Sequence, residues 1–285
     1  MLRLFHALSL LPLGLLQAVG AVLGALVYVM SPRYRRVLHD NLRQAGLDSH
    51  GLALASALEA GRMVGELPYV WLRGGARAAV RRVEVHGREH VEQAWREGRG
   101  VLYLTPHLGC FEVSAQVAAL WGPITVLYRP PHKSWLAALA PARLRDNLRT
   151  APATAAGMRP LLRALRNREA VGLLPDQAPS AGEGVWAPFF GRDAYTMTLP
   201  ARLAQLTGAR IVFAFAERLP RGRGYRLRLH ALDDTLAEDP GLAAASINRA
   251  IEDLVRSCPR QYLWGYNRYK IPAGAPLPPA QAVPP

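Results

Sequence analysis

His107 and Glu112 are a pair whose residue types and spacing suit acid–base chemistry, within Thr105-Pro106-His107-Leu108-Gly109-Cys110-Phe111-Glu112. An imidazole can take a proton from an attacking group. A carboxylate beside it fixes the tautomer and stabilises the imidazolium that forms. On one continuous helix an offset of five sets two side chains about 140° apart, so they would not share a face. They can meet if His107 lies on a turn and Glu112 one turn into the following helix. The spacing therefore predicts a loop followed by a helix, with His107 as general base and Glu112 orienting it. The competing reading is a His satisfied by a backbone carbonyl and a Glu that merely favours a first helical turn.

The flanking sequence supplies the elements this geometry needs. Val101 to Leu104 is an apolar run that reads as a buried strand, and Phe111 to Leu120 reads as a helix. His107 then falls on a strand-to-helix turn, where α/β enzymes commonly hold reactive residues. A second apolar strand, Ala170 to Leu174, ends in the polar residues Asp176 and Gln177. A third, Ile124 to Tyr128, runs into Arg129-Pro130-Pro131, and a helix from Trp135 towards Leu148 carries Arg143 and Arg145. Strands are also expected at Val83–Val85, Arg210–Ala216 and Tyr225–Leu232, and helices at Val91–Glu97, Leu161–Arg166, Pro200–Thr207 and Ile247–Cys258. Trp186 to Gly191 follows a Gly-rich loop, and residues 38–80 read as a helical layer. Alternating strands and helices with short connections predict an α/β fold, a central and mainly parallel sheet flanked by helices.

Composition narrows the class. A chain of 285 residues can bury one substantial core. Its formal net charge of +14 calls for anionic partners: lipid, phosphate, nucleic acid or an acidic protein. Lys133 and Lys270 are the only lysines, so 35 − 2 = 33 of the basic residues are Arg. These are scattered and no nucleic-acid motif accompanies them, which argues against a nucleic-acid partner. Two cysteines, Cys110 and Cys258, give neither a disulfide framework nor a metal cluster, and no metal is expected.

Leu4 to Met30 is almost uninterruptedly apolar, long enough to span a bilayer, and Arg33, Arg35, Arg36 and Arg43 follow at once. The positive-inside rule puts the downstream side in the cytoplasm. The expected organisation is a membrane anchor at 1–32, an α/β domain with a helical N-terminal layer at 33–271, and a Pro/Ala-rich, disordered tail at 272–285. A cleaved signal peptide and a hairpin dipping into one leaflet are the rivals, the latter because Pro12, Gly14, Gly20 and Gly24 interrupt the segment.

The run from Gly98 to Glu112 resembles the lipid A late acyltransferases, the lauroyl and myristoyl transferases. These belong to the glycerolipid acyltransferase group with its HxxxxD/E motif. Tyr128-Arg129-Pro130, Arg143-Leu144-Arg145, Pro175-Asp176-Gln177, Phe189-Phe190-Gly191, Arg202-Leu203-Ala204 and Gln261-Tyr262-Leu263-Trp264 to Lys270 follow in the family's order, covering nearly the whole chain. The resemblance implies a glycerolipid acyltransferase-like fold. It implies transfer of an acyl chain from an acyl carrier protein thioester to a hydroxyl of an anionic lipid A precursor at the cytoplasmic face of the inner membrane. An acyl-ACP or acyl-CoA is then the co-substrate, with no other cofactor. A lysophospholipid or another lyso-lipid, such as lyso-ornithine lipid, is the alternative acceptor.

A thioester is already activated, so a His base that deprotonates the attacking hydroxyl suffices without a covalent intermediate. His107 and Glu112 are the expected catalytic pair, and Arg129, Arg143, Asp176 and Gln177 the expected substrate-binding residues. In that scheme Asp176 holds one of the Arg side chains, or caps its loop. Backbone N–H groups around Leu108 and Gly109 are candidates for the oxyanion. Phe189 and Phe190 wall an acyl groove or belong to the core. Trp264, Tyr266, Arg268 and Tyr269 meet lipid headgroups or pin the last segment to the sheet. From a different class, Cys110 as nucleophile with His107 as base would make a hydrolase.

Overall fold

In the computed structural model, residues 2–73, 80–129, 146–232 and 235–279 are described. The N-terminal layer comprises α1 (Leu2–Ser9), α2 (Leu13–Met30), α3 (Pro32–Gln44), α4 (His50–Gly65) and α5 (Leu67–Leu72). The α/β portion follows as β1 (Val83–His86), α6 (Arg88–Arg96), β2 (Val101–Leu104), α7 (Phe111–Trp121) and β3 (Ile124–Tyr128), and then β4 (Leu148–Pro152), α8 (Ala155–Arg166) and β5 (Ala170–Leu173). After it come β6 (Gly184–Phe189), β7 (Arg192–Met197), α9 (Leu199–Thr207), β8 (Arg210–Leu219), β9 (Gly224–Ala231) and α10 (Pro240–Ser257).

The main sheet has the order β1-β9-β8-β2-β5-β3-β4. Every pairing in it is parallel except that between β8 and β9. The expected α/β class and mainly parallel sheet are what the chain forms. Along β2, Leu102 and Leu104 enter one apolar cluster with residues of α8, α9 and α10, while Val101 and Tyr103 enter a second with α5, α6 and α7. Both faces are covered, which is why the strand reads as an unbroken apolar run rather than an alternating one.

Two elements escape the sequence patterns. Leu148–Pro152, beginning where the helix expected from Trp135 was to end, is the edge strand β4. Gly184–Phe189 and Arg192–Met197, where no strand is expected, form an antiparallel hairpin outside the main sheet. Its tight turn uses Phe190 (φ 48°) and Gly191 (φ 75°), the two positive φ values that a two-residue hairpin loop requires. The turn signal is a Phe-Gly pair rather than the usual Asn-Gly. Phe189 and Phe190 are 2% and 6% exposed, so they belong to the core.

Helix α2 is docked along α4. A Cβ built on Gly24 would lie 2.2 Å from the Ala57 carbonyl oxygen, and one on Gly61 would lie 2.0 Å from that of Gly20. Only glycine permits this backbone-to-backbone approach, as in the small-residue packing of membrane helices. Leu13, Leu16, Gln17, Gly20, Ala21 and Gly24 are buried on that face. On the other face Leu15, Val19, Val22, Leu23, Leu26 and Met30 are exposed. The segment expected as an anchor therefore has one side built into the protein and one side apolar and open. At the far end, the Trp186 indole N–H donates to the Pro276 carbonyl at 3.0 Å, fixing part of the Pro/Ala-rich segment against the hairpin.

Candidate active site

The residues that follow β2, β5 and β3 meet at the C-terminal edge of three adjacent strands. Register decides which of them touch. Leu104 of β2 pairs with Leu173 of β5. His107 and Asp176 each lie three residues beyond that pair and arrive opposite one another. The Asp176 carboxylate accepts from His107 twice, from Nδ1 at 2.8 Å and from the backbone N–H at 2.9 Å. The Nδ1 contact orients the ring with Nδ1–H donating, so Nε2 carries the lone pair. Gln177 Nε2 lies 3.2 Å from that nitrogen, and its amide covers the lone pair. The His107 side chain is 15% exposed and that of Asp176 2%, so the base has an open edge and its partner does not.

Burial alone pushes the Asp176 carboxyl up. The charge of His107 and the hydrogen bonds to it more than offset this, and the carboxyl is held below the usual range. Tyr262 packs against the same carboxylate. Its phenol is pushed well up, first by burial and then by the Asp176 charge.

Glu112 was the expected partner of His107, but the Nδ1 position is filled by Asp176. Glu112 sits in the first turn of α7, is 8% exposed, and accepts from the Trp71 indole N–H at 3.0 Å. The physical reason lies in the three residues between His107 and Phe111. Leu108 forms a β-bridge with Tyr262 and Gly109 one with Ala216, so this stretch is pinned to other strands before α7 begins. Asp176 was expected to hold an arginine or cap a loop, and it holds the imidazole.

The same pinning removes the expected oxyanion donors. Leu108 N–H donates to the Pro106 carbonyl at 2.7 Å, Gly109 N–H to that of Gln261 at 3.0 Å, and Cys110 N–H to that of Ala216 at 2.8 Å. Helix α7 starts at Phe111, too late for residues 108 and 109 to present free helix N–H groups. The His107 carbonyl accepts from Leu263 N–H at 3.0 Å, so residues 261–263 clamp the loop from the C-terminal part of the chain. Sequence reasoning placed Gln261, Tyr262 and Leu263 in a terminal signature without seeing that they brace His107. Trp264, Tyr266, Arg268 and Tyr269 pin this segment. Arg268 donates to the Tyr195 carbonyl and to Thr196 Oγ1, both at 2.8 Å.

Cys110 is buried beneath the loop. Its thiol is pushed well above the ordinary range by burial and then by Glu66, which Arg218 only partly opposes. A nucleophilic cysteine needs the opposite shift. The hydrolase alternative is therefore dropped. Arg129, at the exit of β3, is exposed and donates from Nη2 to Ser180 Oγ at 3.4 Å. Arg143 and Arg145 lie outside the described residues.

Comparison with known proteins places this geometry in context. The family model described as bacterial lipid A biosynthesis acyltransferase matches residues 2–271. A lipid A biosynthesis lauroyltransferase of Escherichia coli (strain K12) is 27% identical over 277 residues, 93% of this chain and 89% of the relative. A lipid A biosynthesis acyltransferase of Haemophilus influenzae is 30% identical over 190 residues, 65% of this chain and 58% of that relative's length. A lipid A biosynthesis myristoyltransferase of Escherichia coli is 28% identical over 219 residues, 74% of this chain and 64% of the relative.

Proposed function

The chain belongs to the bacterial lipid A biosynthesis acyltransferase family, and we propose from this that it moves a fatty acyl chain from an acyl carrier protein thioester to a hydroxyl of a lipid A precursor. The observation that carries the reading is the His107–Asp176 pair, a partly buried imidazole backed by a buried carboxylate at the C-terminal edge of the sheet.

The acceptor hydroxyl takes the place of the Gln177 amide at His107 Nε2 and gives up its proton there as its oxygen attacks the thioester carbonyl carbon. A bond forms between that oxygen and carbon, the carbon–sulfur bond breaks, and the imidazolium returns the proton to the leaving thiolate. Asp176 keeps the Nδ1–H tautomer and balances the imidazolium charge. Glu112, buried in the first turn of α7 and accepting from the Trp71 indole N–H, stands next to the loop that carries His107. Arg129 and Arg143 bind the anionic acceptor, with Arg129 placed at the same strand edge as the base.

The exposed face of α2 and the arginines after it support a setting at the cytoplasmic face of the inner membrane. Leu13–Met30 is long and apolar enough to cross a bilayer, and lipid would cover the face that α4 leaves open. The test is mass spectrometry of products after the purified full chain is mixed with acyl-ACP and either lipid A precursor, lysophosphatidate or lyso-ornithine lipid. Acylation of the precursor that is lost in His107→Ala supports the reading. Acylation of only one of the other lipids redirects the acceptor, and no transfer to any of them overturns the reaction.

A further inference from the structure

Length and composition would let α2 cross a bilayer, yet both of its ends are fastened to the same domain. At its start, α1 packs on α5, with the Phe5 and Trp71 rings stacked at 6.3 Å. Arg73, just after α5, donates from Nη1 to the Leu10 and Leu11 carbonyls at 3.2 and 2.8 Å. Gly14 lies against the turn between β8 and β9, where a Cβ built on Gly222 would come within 2.5 Å of the Gly14 nitrogen.

The other end is held too. Arg35 of α3 donates from Nη1 to the carbonyls of Tyr28 and Val29 at 2.8 and 3.1 Å, and the Tyr28 hydroxyl shares a hydrogen bond with His39 at 3.1 Å. Helix α3 is joined in turn to the segment that braces His107, because Asn41 Nδ2 donates to the Trp264 and Tyr266 carbonyls, both at 2.7 Å. Between the ends, Gln17 donates to the buried Glu66 at 2.9 Å. Arg62, ion-paired with Glu59 on α4, has its backbone against Gly20.

A crossing would carry these groups with it. The 18 residues of α2, at 1.5 Å each, reach about 27 Å, close to the ~30 Å of the hydrocarbon core. One end would then stand at the far surface, together with the parts of the domain bound to it. Ionised side chains of α4 would lie at bilayer depth, where they are costly. The open face of α2 is a stripe of Leu15, Val19, Val22, Leu23, Leu26 and Met30, at helical spacing from end to end. Exposed arginines flank it on both sides, Arg221 and Arg223 in the turn beside its start and Arg33 and Arg36 after its finish. Cations at both ends of an apolar stripe suit a helix lying on an anionic lipid surface, whereas a crossing helix collects them at its cytoplasmic end.

We propose that α2 lies along a single leaflet and does not cross the bilayer. The inference rests on the membrane setting given under the proposed function. The stripe enters the headgroup–acyl boundary by about 5–10 Å, as interfacial helices do. Helix α4 occupies the side that water would cover on an isolated amphipathic helix, and the amino terminus stays on the same side as the catalytic domain.

Spin labels test it on the full chain, in a background with Cys110→Ala and Cys258→Ser. Nitroxides at Leu15→Cys, Val22→Cys and Met30→Cys are read by oxygen and nickel-chelate collision in vesicles of phosphatidylethanolamine and phosphatidylglycerol. A helix along one leaflet puts all three within about 5 Å of one depth. A crossing helix puts Val22 about 10 Å deeper than the end position Leu15, and that profile overturns the proposal. Spin–spin broadening with little oxygen contact means that a second copy covers the stripe, and overturns it as well.

Thiol labelling in spheroplasts separates this inference from the setting it rests on. Arg3→Cys and Asp40→Cys, one before α2 and one after it, should both resist an impermeant maleimide until the membrane is lysed. Labelling of only one from outside puts them on opposite sides and overturns the single-leaflet helix. Labelling of both from outside keeps that helix and moves the catalytic domain to the other face, which overturns the proposed setting instead.

Discussion

Two buried carboxylates flank the loop that carries His107, and the molecule treats them in different ways. Strand β2 has β5 on one side and β8 on the other. On the β5 side Asp176 meets an imidazole. On the β8 side Glu66, fully buried, accepts from Arg218 Nε at 2.8 Å and Nη2 at 2.6 Å, from Gln17 Nε2 at 2.9 Å and from the Tyr225 hydroxyl at 3.1 Å. Arg218 also donates from Nη1 to Glu59 and turns Nη2 towards the Gly109 carbonyl.

Both clusters therefore brace the same loop. Their difference lies in the partner. Burial opposes the charge of Arg218, but Glu66 and then Glu59 outweigh that, and the guanidinium stays firmly protonated. Such a partner has no second protonation state to offer. His107 has a second ring nitrogen, covered only by the Gln177 amide, that can gain and lose a proton. Equal burial of two acids thus gives a fixed joint in one place and an acid–base centre in the other.

The comparison can be broken first on the fixed side, where the largest effect is expected. Arg218→Ala leaves Glu66 and Glu59 without their cation. Losing one partner of a buried pair costs about 3–5 kcal/mol, and Tm should fall by roughly 5–8 °C. Thermal denaturation decides it. A shift of a degree or two would mean that the cluster is not a structural joint.

On the chemical side, His107→Ala should lower kcat/KM for acyl transfer by at least about a hundredfold with little change in Tm. Near-normal turnover by the folded variant would remove His107 from the mechanism. Asp176→Asn and Glu112→Gln sharpen the contrast between the two acids near the base. Asp176→Asn should fall nearly as far as His107→Ala. The double variant His107→Ala/Asp176→Asn should be no worse than the single one, because the two act as a unit. If the losses multiply, Asp176 works independently of the imidazole. Glu112→Gln should also be severe, and its coupling to His107 in a double cycle shows whether it too acts through the ring.

A smaller effect is expected in acid. The Asp176 carboxyl is depressed in the folded protein relative to an ordinary value near 3.9, so its contribution to stability is complete above that range. That contribution is lost as pH falls through the depressed native value. Asp176→Asn should therefore flatten the acid limb of the Tm-against-pH curve below about pH 4. An unchanged limb would show that the carboxylate is not stabilised in the native state. The smallest effect should come from Cys110→Ala, which deletes a buried thiol that takes no part in transfer. Abolished turnover in a stable Cys110→Ala protein would restore the cysteine as nucleophile.

Much of this architecture was legible in the residues alone. The strands at Val101–Leu104, Ile124–Tyr128 and Ala170–Leu173 are short apolar runs closed by turn residues, and a strand covered on both faces needs no finer pattern. The location of His107 on a turn before a helix followed from its spacing to the apolar stretch after it. The hairpin at 184–197 was missed because its turn is formed by Phe190 and Gly191 and one of its strands contains Pro188. Residues 148–152 were missed because a five-residue edge strand directly follows a segment with helical composition.

What the sequence by itself determined is which side chains stand at strand ends and can do chemistry: His107, Arg129, Asp176 and Gln177. Only the tertiary structure decided that Asp176, rather than Glu112, takes His107 Nδ1. Sequence spacing compares residues along one segment, and Glu112 is near His107 in that sense. Pairing in a sheet compares residues across segments. The register that sets Leu104 beside Leu173 brings together two side chains 69 positions apart, and no local pattern encodes which strand will lie next to which.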